Sequence, residues 1–241
     1  MSRKALFFDV DGTLLSERTK TVPRSAKEAL AKARSQGHLV FINSGRVICH
    51  LGKIKDLVEV DGYLCGCGTY LEMHERPVYE FHMGEEEKQF VLSACRQYGV
   101  EALLEGCQGI YFQEDDFRIQ RTRRVWDSVT SQNPGVAKRY SQCQAFDKFC
   151  VTVDARSDIA GFTRQVSSRF QVIDRGDDFF ECVPLGHSKA TAIEKILALC
   201  NIPLKDAWVF GDSANDLAMF EYVPNAVLMG VHDSQLVPYA S

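Results

Sequence analysis

The sequence predicts an α/β protein: a doubly wound parallel sheet flanked by helices and interrupted by an inserted α+β segment. Three observations predict it. Short, continuous apolar runs occur, of the kind found in strands covered on both faces. Helical patterns separate these runs in a β–α–β rhythm. That rhythm lapses in the middle of the chain and returns near its end.

Ala5–Phe8 (ALFF) is the first apolar run. A polar loop follows, then a helical pattern over residues 25–36. Pro23 stands near its start, its apolar side carries Ala26, Ala29, Leu30 and Ala33, and Gly37 closes it. Leu39–Ile42 is the second run and completes a βαβ unit. Late in the chain, residues 191–200 read as a helix through Ile193, Ile196, Leu197 and Cys200. Ala207–Phe210 reads as a strand, 217–222 as a helix and 226–229 as a further strand. Between these parts, helices are expected over 85–98 and 158–169. Strands are expected over 110–112, 149–153 and 179–183. The chain therefore reads as a core of residues 1–74 and 186–241, with residues 75–185 inserted as a separate α+β domain.

Composition narrows the function classes. Of 241 residues, 45% are hydrophobic and 25% charged, and the net charge is -4. That balance gives no footprint for nucleic acid or an anionic membrane, yet allows a local cationic pocket for a small anion. No stretch has the length of a membrane span. The apolar run after Met1–Lys4 is cut short by Asp9, unlike a secretory leader, so the cytoplasm is the expected location. The nine cysteines are odd in number and lie mostly in apolar stretches, as reduced buried thiols do. Cys65 and Cys67 lack the second pair that a zinc site needs, so they read as small core residues.

Three core strands run into polar clusters: Asp9-Val10-Asp11-Gly12-Thr13, Ser44-Gly45-Arg46 and Gly211-Asp212-Ser213-Ala214-Asn215-Asp216. Open α/β sheets bind ligands at the carboxyl ends of their strands, so the three clusters are expected to converge. Asp9 and Asp11 are two apart on an extended chain and are expected to face one pocket. With an ordinary carboxylate pKa near 3.9, Asp9 is expected to be an ionised nucleophile able to attack phosphorus. Asp11 is placed to give and take a proton. Gly12 permits a sharp turn, and Thr13 offers a hydroxyl and an amide to an anion. Asp212 and Asp216, four apart beside Asn215, fall on one face if a helix begins there. Carboxylates gathered in one pocket call for a cation, and magnesium suits them. Ser44 can donate to a phosphate oxygen. Lys189, ahead of the helix at 191 and after Gly186, can stabilise phosphoryl charge.

Together these four groups of residues resemble the four motifs of the haloacid dehalogenase superfamily, in order and in spacing. The insert between the second motif and the lysine is similar to the Cof-type branch, whose type IIB α+β cap sits there. Asn225-Ala226-Val227-Leu228-Met229-Gly230 is also similar to that branch. The resemblance spans nearly the whole chain. It implies a Rossmann-like core with a specificity cap. It also implies a magnesium-dependent phosphatase of a small phosphorylated metabolite, a sugar phosphate or similar, working through an aspartyl-phosphate on Asp9. On that resemblance Asp11 is the general acid/base, with its carbonyl on the metal. Thr13, Ser44, Gly45, Arg46, Lys189 and Asn215 hold the phosphoryl group or substrate, and Asp9, Asp11, Asp212 and Asp216 hold magnesium. A phosphomutase or phosphotransferase on the same scaffold is the enzymatic alternative, and a non-catalytic phosphometabolite-binding protein the other.

The chain departs from the family in two places. Cys65-Gly66-Cys67-Gly68 stands where relatives often carry Asn-Gly, and the chain ends at Ser241, where relatives usually continue with another strand and helix. Arg118, Arg121, Arg123 and Arg124 read as a solvated helix face, or else as a site for a second anionic group. His82, His187 and Asp177-Asp178 are weaker candidates for lining a substrate cleft. Oligomeric state leaves no mark in the sequence.

Overall fold

Strand β1 (Ala5–Phe8) is apolar at every position because both of its faces are covered. Ala5 and Phe7 enter one core layer, while Leu6 and Phe8 pack against the other. The second layer is closed by helix α1 (Arg24–Ser35), which presents Leu30, Ala26 and Ala33 and starts directly after Pro23. Strand β2 (Leu39–Asn43) pairs parallel to β1, and β3 (Gly62–Cys65) parallel to β2. Two antiparallel strands extend that edge, β4 (Tyr70–Met73) and β5 (Arg76–Glu80). Only His74 and Glu75 join them, at φ 50° and 62°, the left-handed pair that a two-residue hairpin turn requires.

This is a computed structural model describing residues 2–16, 18–19 and 21–241. The chain divides into two compact units, Met1–Arg46 with Lys53–Glu80 and His187–Ser241, and Val47–Gly52 with Phe81–Gly186. The second unit opens its long segment with helix α2 (Glu85–Tyr98), then β6 (Glu101–Gly106) and β7 (Gly109–Phe112). Helix α3 (Gln120–Gln132) and strands β8 (Ala137–Arg139) and β9 (Lys148–Thr152) follow. Helix α4 (Ile159–Val166), β10 (Phe170–Asp174) and β11 (Phe179–Pro184) complete it. Its sheet runs β10-β11-β9-β6-β7-β8, antiparallel except for β7 with β8. Helices α2 and α4 pack on one face around Phe149, Phe162 and Val91. Helix α3 packs on the other around Phe112, Leu103 and Val129.

Helix α4 starts one residue later than the expected 158–169, because Asp158 is its cap, the carboxylate accepting from Gly161 N at 2.8 Å, and it ends earlier, at Val166. The arginines near α3 are largely engaged within this unit. Arg118 pairs with Asp154, Arg121 with Asp177 at 2.9 Å and Arg123 with Asp116 at 3.3 Å. His82 Nδ1 lies 2.6 Å from Asp147 Oδ1.

The chain returns to the first unit with helix α5 (Lys189–Cys200), β12 (Ala207–Gly211), α6 (Leu217–Tyr222) and β13 (Ala226–Leu228). β12 pairs parallel to β1 on the side opposite β2, and β13 parallel to β12, giving the order β13-β12-β1-β2-β3-β4-β5. The order reverses between β1 and β12, the switch point where such sheets bind ligands. Ala192, Ile193 and Ile196 of α5 close the layer over Phe7 and Phe41, whose rings stack at 5.2 Å. All nine cysteines are free thiols. Among the described residues no helix is long and apolar enough to cross a membrane.

Candidate active site

The switch point gathers the polar ends of β1, β2 and β12. Asp9 is the first residue past β1 and still extends its ladder, donating N–H to Phe210 O at 3.0 Å. The chain then folds back, with Leu15 N donating to Val10 O at 2.7 Å. Gly12 makes the turn at φ 87°, and a Cβ there would stand 2.3 Å from Asp212 Oδ2. Only glycine lets the first and last clusters come this close.

Asp9 is buried, and Lys189 Nζ donates to its Oδ1 at 2.5 Å and to Asp216 Oδ1 at 2.6 Å. Lys189 is therefore no solvated surface lysine. It is the first residue of α5, 1% exposed, just after the N-cap Ser188, whose hydroxyl accepts from Thr191 N at 3.1 Å. Asp216 Oδ2 accepts from the backbone N–H groups of Asp212 and Ser213 at 2.9 and 3.0 Å. Both oxygens of Asp216 are thus held by protein donors. Residues 214–216 form a 3₁₀ turn before α6, tighter than the helical start expected from the sequence. Asp212 is half-buried and accepts from Thr13 Oγ1 at 2.6 Å.

Asp11 has a different partner. Arg46 Nε donates to Asp11 Oδ2 at 2.8 Å, and the terminal Nη2 to Oδ1 at 2.7 Å. Ser44 is buried and its Oγ accepts from Arg46 N at 3.2 Å; Gly45, between them, is partly exposed. Asn215 Oδ1 accepts from Ser213 Oγ at 2.9 Å. His187 Nε2 lies 2.8 Å from the Tyr79 hydroxyl.

The electrostatics follow from burial and an excess of carboxylates. Burial pushes the Asp9 carboxyl up to about 7, Asp216 and Asp11 reinforce the rise, and Lys189 opposes it. The ordinary acidity expected from the sequence is therefore not what Asp9 has without a cation, because the site removes it from water. Burial pulls Lys189 down, but Asp216 and Asp9 outweigh it and hold the ammonium above its usual range. One oxygen each from Asp9, Asp212 and Asp216 lies within 4.8 Å of the others. Hard oxygen donors in excess over one ammonium fit a magnesium ion.

Two residues went unnoticed in the sequence. Asn43, fully buried at the end of β2, donates Nδ2 to Lys189 O at 3.1 Å and so ties β2 to the start of α5. An asparagine directly after four apolar residues was the available signal. Asp233 Oδ2 accepts from Ala214 N at 2.7 Å, and its own N–H donates to Asp212 O at 2.8 Å. It fastens the Asp212–Asp216 loop from a distant segment that carries no motif.

The Cys65–Gly68 turn has a positioning role of its own. Cys67 N donates to Ser44 O at 3.3 Å and Gly66 N to Arg46 O at 2.9 Å. Gly68 has φ 91°, and a Cβ there would meet Ser188 O at 2.6 Å, beside the cap that starts α5. Gly68→Ala is expected to cost about 1–3 kcal/mol through strained backbone and this contact. Urea denaturation measures it; unchanged stability would mean that the α5 cap gives way freely.

A family model described as haloacid dehalogenase-like hydrolase matches residues 6–241. Over 245 residues the chain is 24% identical to the pyridoxal phosphate phosphatase YbhA of Escherichia coli, covering 97% of this chain and 90% of that one. It is 26% identical over 239 residues to an HMP-PP phosphatase of Yersinia pseudotuberculosis, covering 92% and 82%. Among solved structures, the HAD subclass IIB sugar phosphatase BT4131 superposes with a TM-score of 0.80 at 23% identity, over 99% of this chain and 92% of that one.

Proposed function

The chain belongs to the haloacid dehalogenase-like hydrolases and is a phosphoric monoester hydrolase of that family; from that premise we propose that it dephosphorylates a small phosphorylated metabolite through an aspartyl-phosphate on Asp9, with magnesium as cofactor. The observation that carries this reading is the buried Asp9 at the sheet's switch point, held against Lys189 and Asp216 and within reach of Asp212.

Asp9 attacks phosphorus through one carboxylate oxygen. Asp11 protonates the departing ester oxygen, and its carboxylate then takes a proton from the water that attacks the aspartyl-phosphate. Inorganic phosphate leaves and the Asp9 carboxylate returns. Lys189, Ser44 and the Thr13, Gly45 and Asn215 groups surround the phosphoryl oxygens, and Lys189 balances the charge that develops there. Asp9, Asp212, Asp216 and the Asp11 carbonyl would hold magnesium, which neutralises carboxylate and phosphate charge when bound. The inserted segment, Phe81–Gly186 in the structure, acts as a cap that selects the metabolite. The named substrates of the relatives, pyridoxal phosphate and HMP-PP, are small phosphorylated compounds and set the class to screen first. The pairing of Arg118, Arg121 and Arg123 with Asp154, Asp177 and Asp116 weighs against a second anion site, and so against a mutase.

The test is phosphate release from pyridoxal phosphate, HMP-PP, sugar phosphates and nucleotides, with magnesium and with excess chelator. Stoichiometric inorganic phosphate is expected, lost in chelator and restored by magnesium. Transfer to a second metabolite without free phosphate would make the protein a transferase, and no turnover of any ester would sink the reading.

A further inference from the structure

The two acidic residues of the first cluster have separate cations. Lys189 serves Asp9, whereas Arg46 places two guanidinium nitrogens on the two oxygens of Asp11, at 2.8 and 2.7 Å. Such a fork is planar and directional, and fixes a carboxylate in a way that one ammonium cannot. The Arg46 backbone is itself pinned, its N–H on Ser44 Oγ at 3.2 Å and its carbonyl accepting from Gly66 N at 2.9 Å. Asp11 needs this help, because half of its side chain is exposed. An exposed aspartate otherwise distributes itself among rotamers.

We propose that Arg46 is a positioning residue that orients the Asp11 carboxyl group for proton transfer, rather than a ligand of the substrate phosphate. The inference rests on the phosphatase reading above. In the first half-reaction an Asp9 oxygen–phosphorus bond forms, the phosphorus–ester oxygen bond breaks, and the Asp11 proton goes to that ester oxygen. In the second, water oxygen bonds phosphorus, the Asp9 oxygen–phosphorus bond breaks, and the water proton returns to Asp11. Both transfers need the carboxyl group aimed at the reacting oxygen. The fork holds the ionised form that takes the water proton, and one of its two bonds keeps the protonated form in place while the other oxygen presents the proton to the ester. The sequence alone placed Arg46 among the phosphate ligands. The fork on Asp11 gives it a role through Asp11 instead.

Leaving-group chemistry separates the two roles. An alkoxide departs only with a proton, whereas p-nitrophenolate departs without one. The measurement is kcat/KM, which reports steps up to phosphoryl transfer, for p-nitrophenyl phosphate and for pyridoxal phosphate or the fastest alkyl phosphate found. Arg46→Ala should lower the alkyl value about 10–100-fold and the p-nitrophenyl value by about threefold at most. Arg46→Lys, with a single-point contact, should recover part of the alkyl loss. In an Asp11→Ala background the Arg46→Ala effect should vanish, since a residue acting through another adds nothing once that other is gone. Equal losses on both esters that persist without Asp11 would overturn the proposal and make Arg46 a phosphate ligand. A wild type no more active than Asp9→Asn on either ester would topple the phosphatase reading, and this proposal with it.

Discussion

Asn in place of Asp9 should remove phosphate release from every substrate by about 10⁴-fold or more, as loss of a covalent nucleophile does, yet should leave the metal-free protein at least as stable at neutral pH. The substitution keeps the shape and removes the attacking oxygen's charge. The stability half of the expectation follows from charge: without a cation, two buried carboxylates, Asp9 and Asp216, share the single ammonium of Lys189. Burial first, then Asp216 and Asp11, against Lys189, raise Asp9 from 3.8 to about 7. A carboxyl whose folded-state value is raised binds its proton more tightly folded than unfolded. Its stabilising contribution is therefore full below about 3.8 and is lost as pH rises through about 7. Metal-free wild type should lose stability across that window, and Asp9→Asn should lose less. Melting temperatures at about pH 5 and pH 8 in chelator measure the difference between the two proteins. Magnesium should then raise the wild type at the higher pH more than the variant, because it binds the folded carboxylate set. Retained turnover in Asp9→Asn would end the covalent mechanism, whatever the melts show.

How much of this was legible in the sequence depended on whether a residue's role was local. The runs ALFF and LVFI announced buried parallel strands because each position packs into one of two covered layers, so no polar alternation interrupts them. The polar ends of those strands announced the site for the same reason: a strand buried on both faces can turn polar only where it leaves the sheet. What escaped was decided by tertiary partners. Glu101–Gly106 is a strand in the structure although its Glu, Ala and Leu favour helix. Glu101 is buried there and accepts from Arg118 N at 2.8 Å and from Thr122 Oγ1 at 2.5 Å, so it caps the start of α3 from another element. The β4–β5 hairpin escaped because its turn is His-Glu rather than the Asn-Gly or Asp-Gly that marks such turns. In the second unit, Lys148 is buried against Glu105 and against Glu181 at 2.8 Å, and no spacing along the chain pairs those positions. The burial of Lys189 was hidden likewise, for a lysine at a helix start is normally solvated, and only the fold brings Asp9 and Asp216 to it.

Lys189→Met tests that burial directly and is expected to be the most destabilising single change at the site. Methionine fills the lysine's volume with an apolar chain, so packing is largely conserved. What is lost is the ammonium that donates to Asp9 Oδ1 at 2.5 Å and to Asp216 Oδ1 at 2.6 Å. Breaking a buried pair by removing one partner costs about 3–5 kcal/mol, because the remaining charge stays out of water. Here two like charges remain. Lys189 itself is held above its usual 10.5 by Asp216 and Asp9 against the pull of burial, so its own contribution is fully present at neutral pH and is lost only above that range. The cost in the variant must therefore vary with the carboxylates alone. It should be largest near pH 8 in chelator, where Asp9 is ionised, and shrink toward about pH 5, below the value of about 7 at which a proton on Asp9 replaces the missing ammonium. Magnesium should recover part of it by supplying another cation to the same carboxylates, while turnover stays down by about 10²–10³-fold for want of the ammonium on the phosphoryl group. Urea denaturation at both pH values, with and without magnesium, separates this from a packing defect. A cost independent of pH and metal would show that the lysine's chain, not its charge, supports the fold.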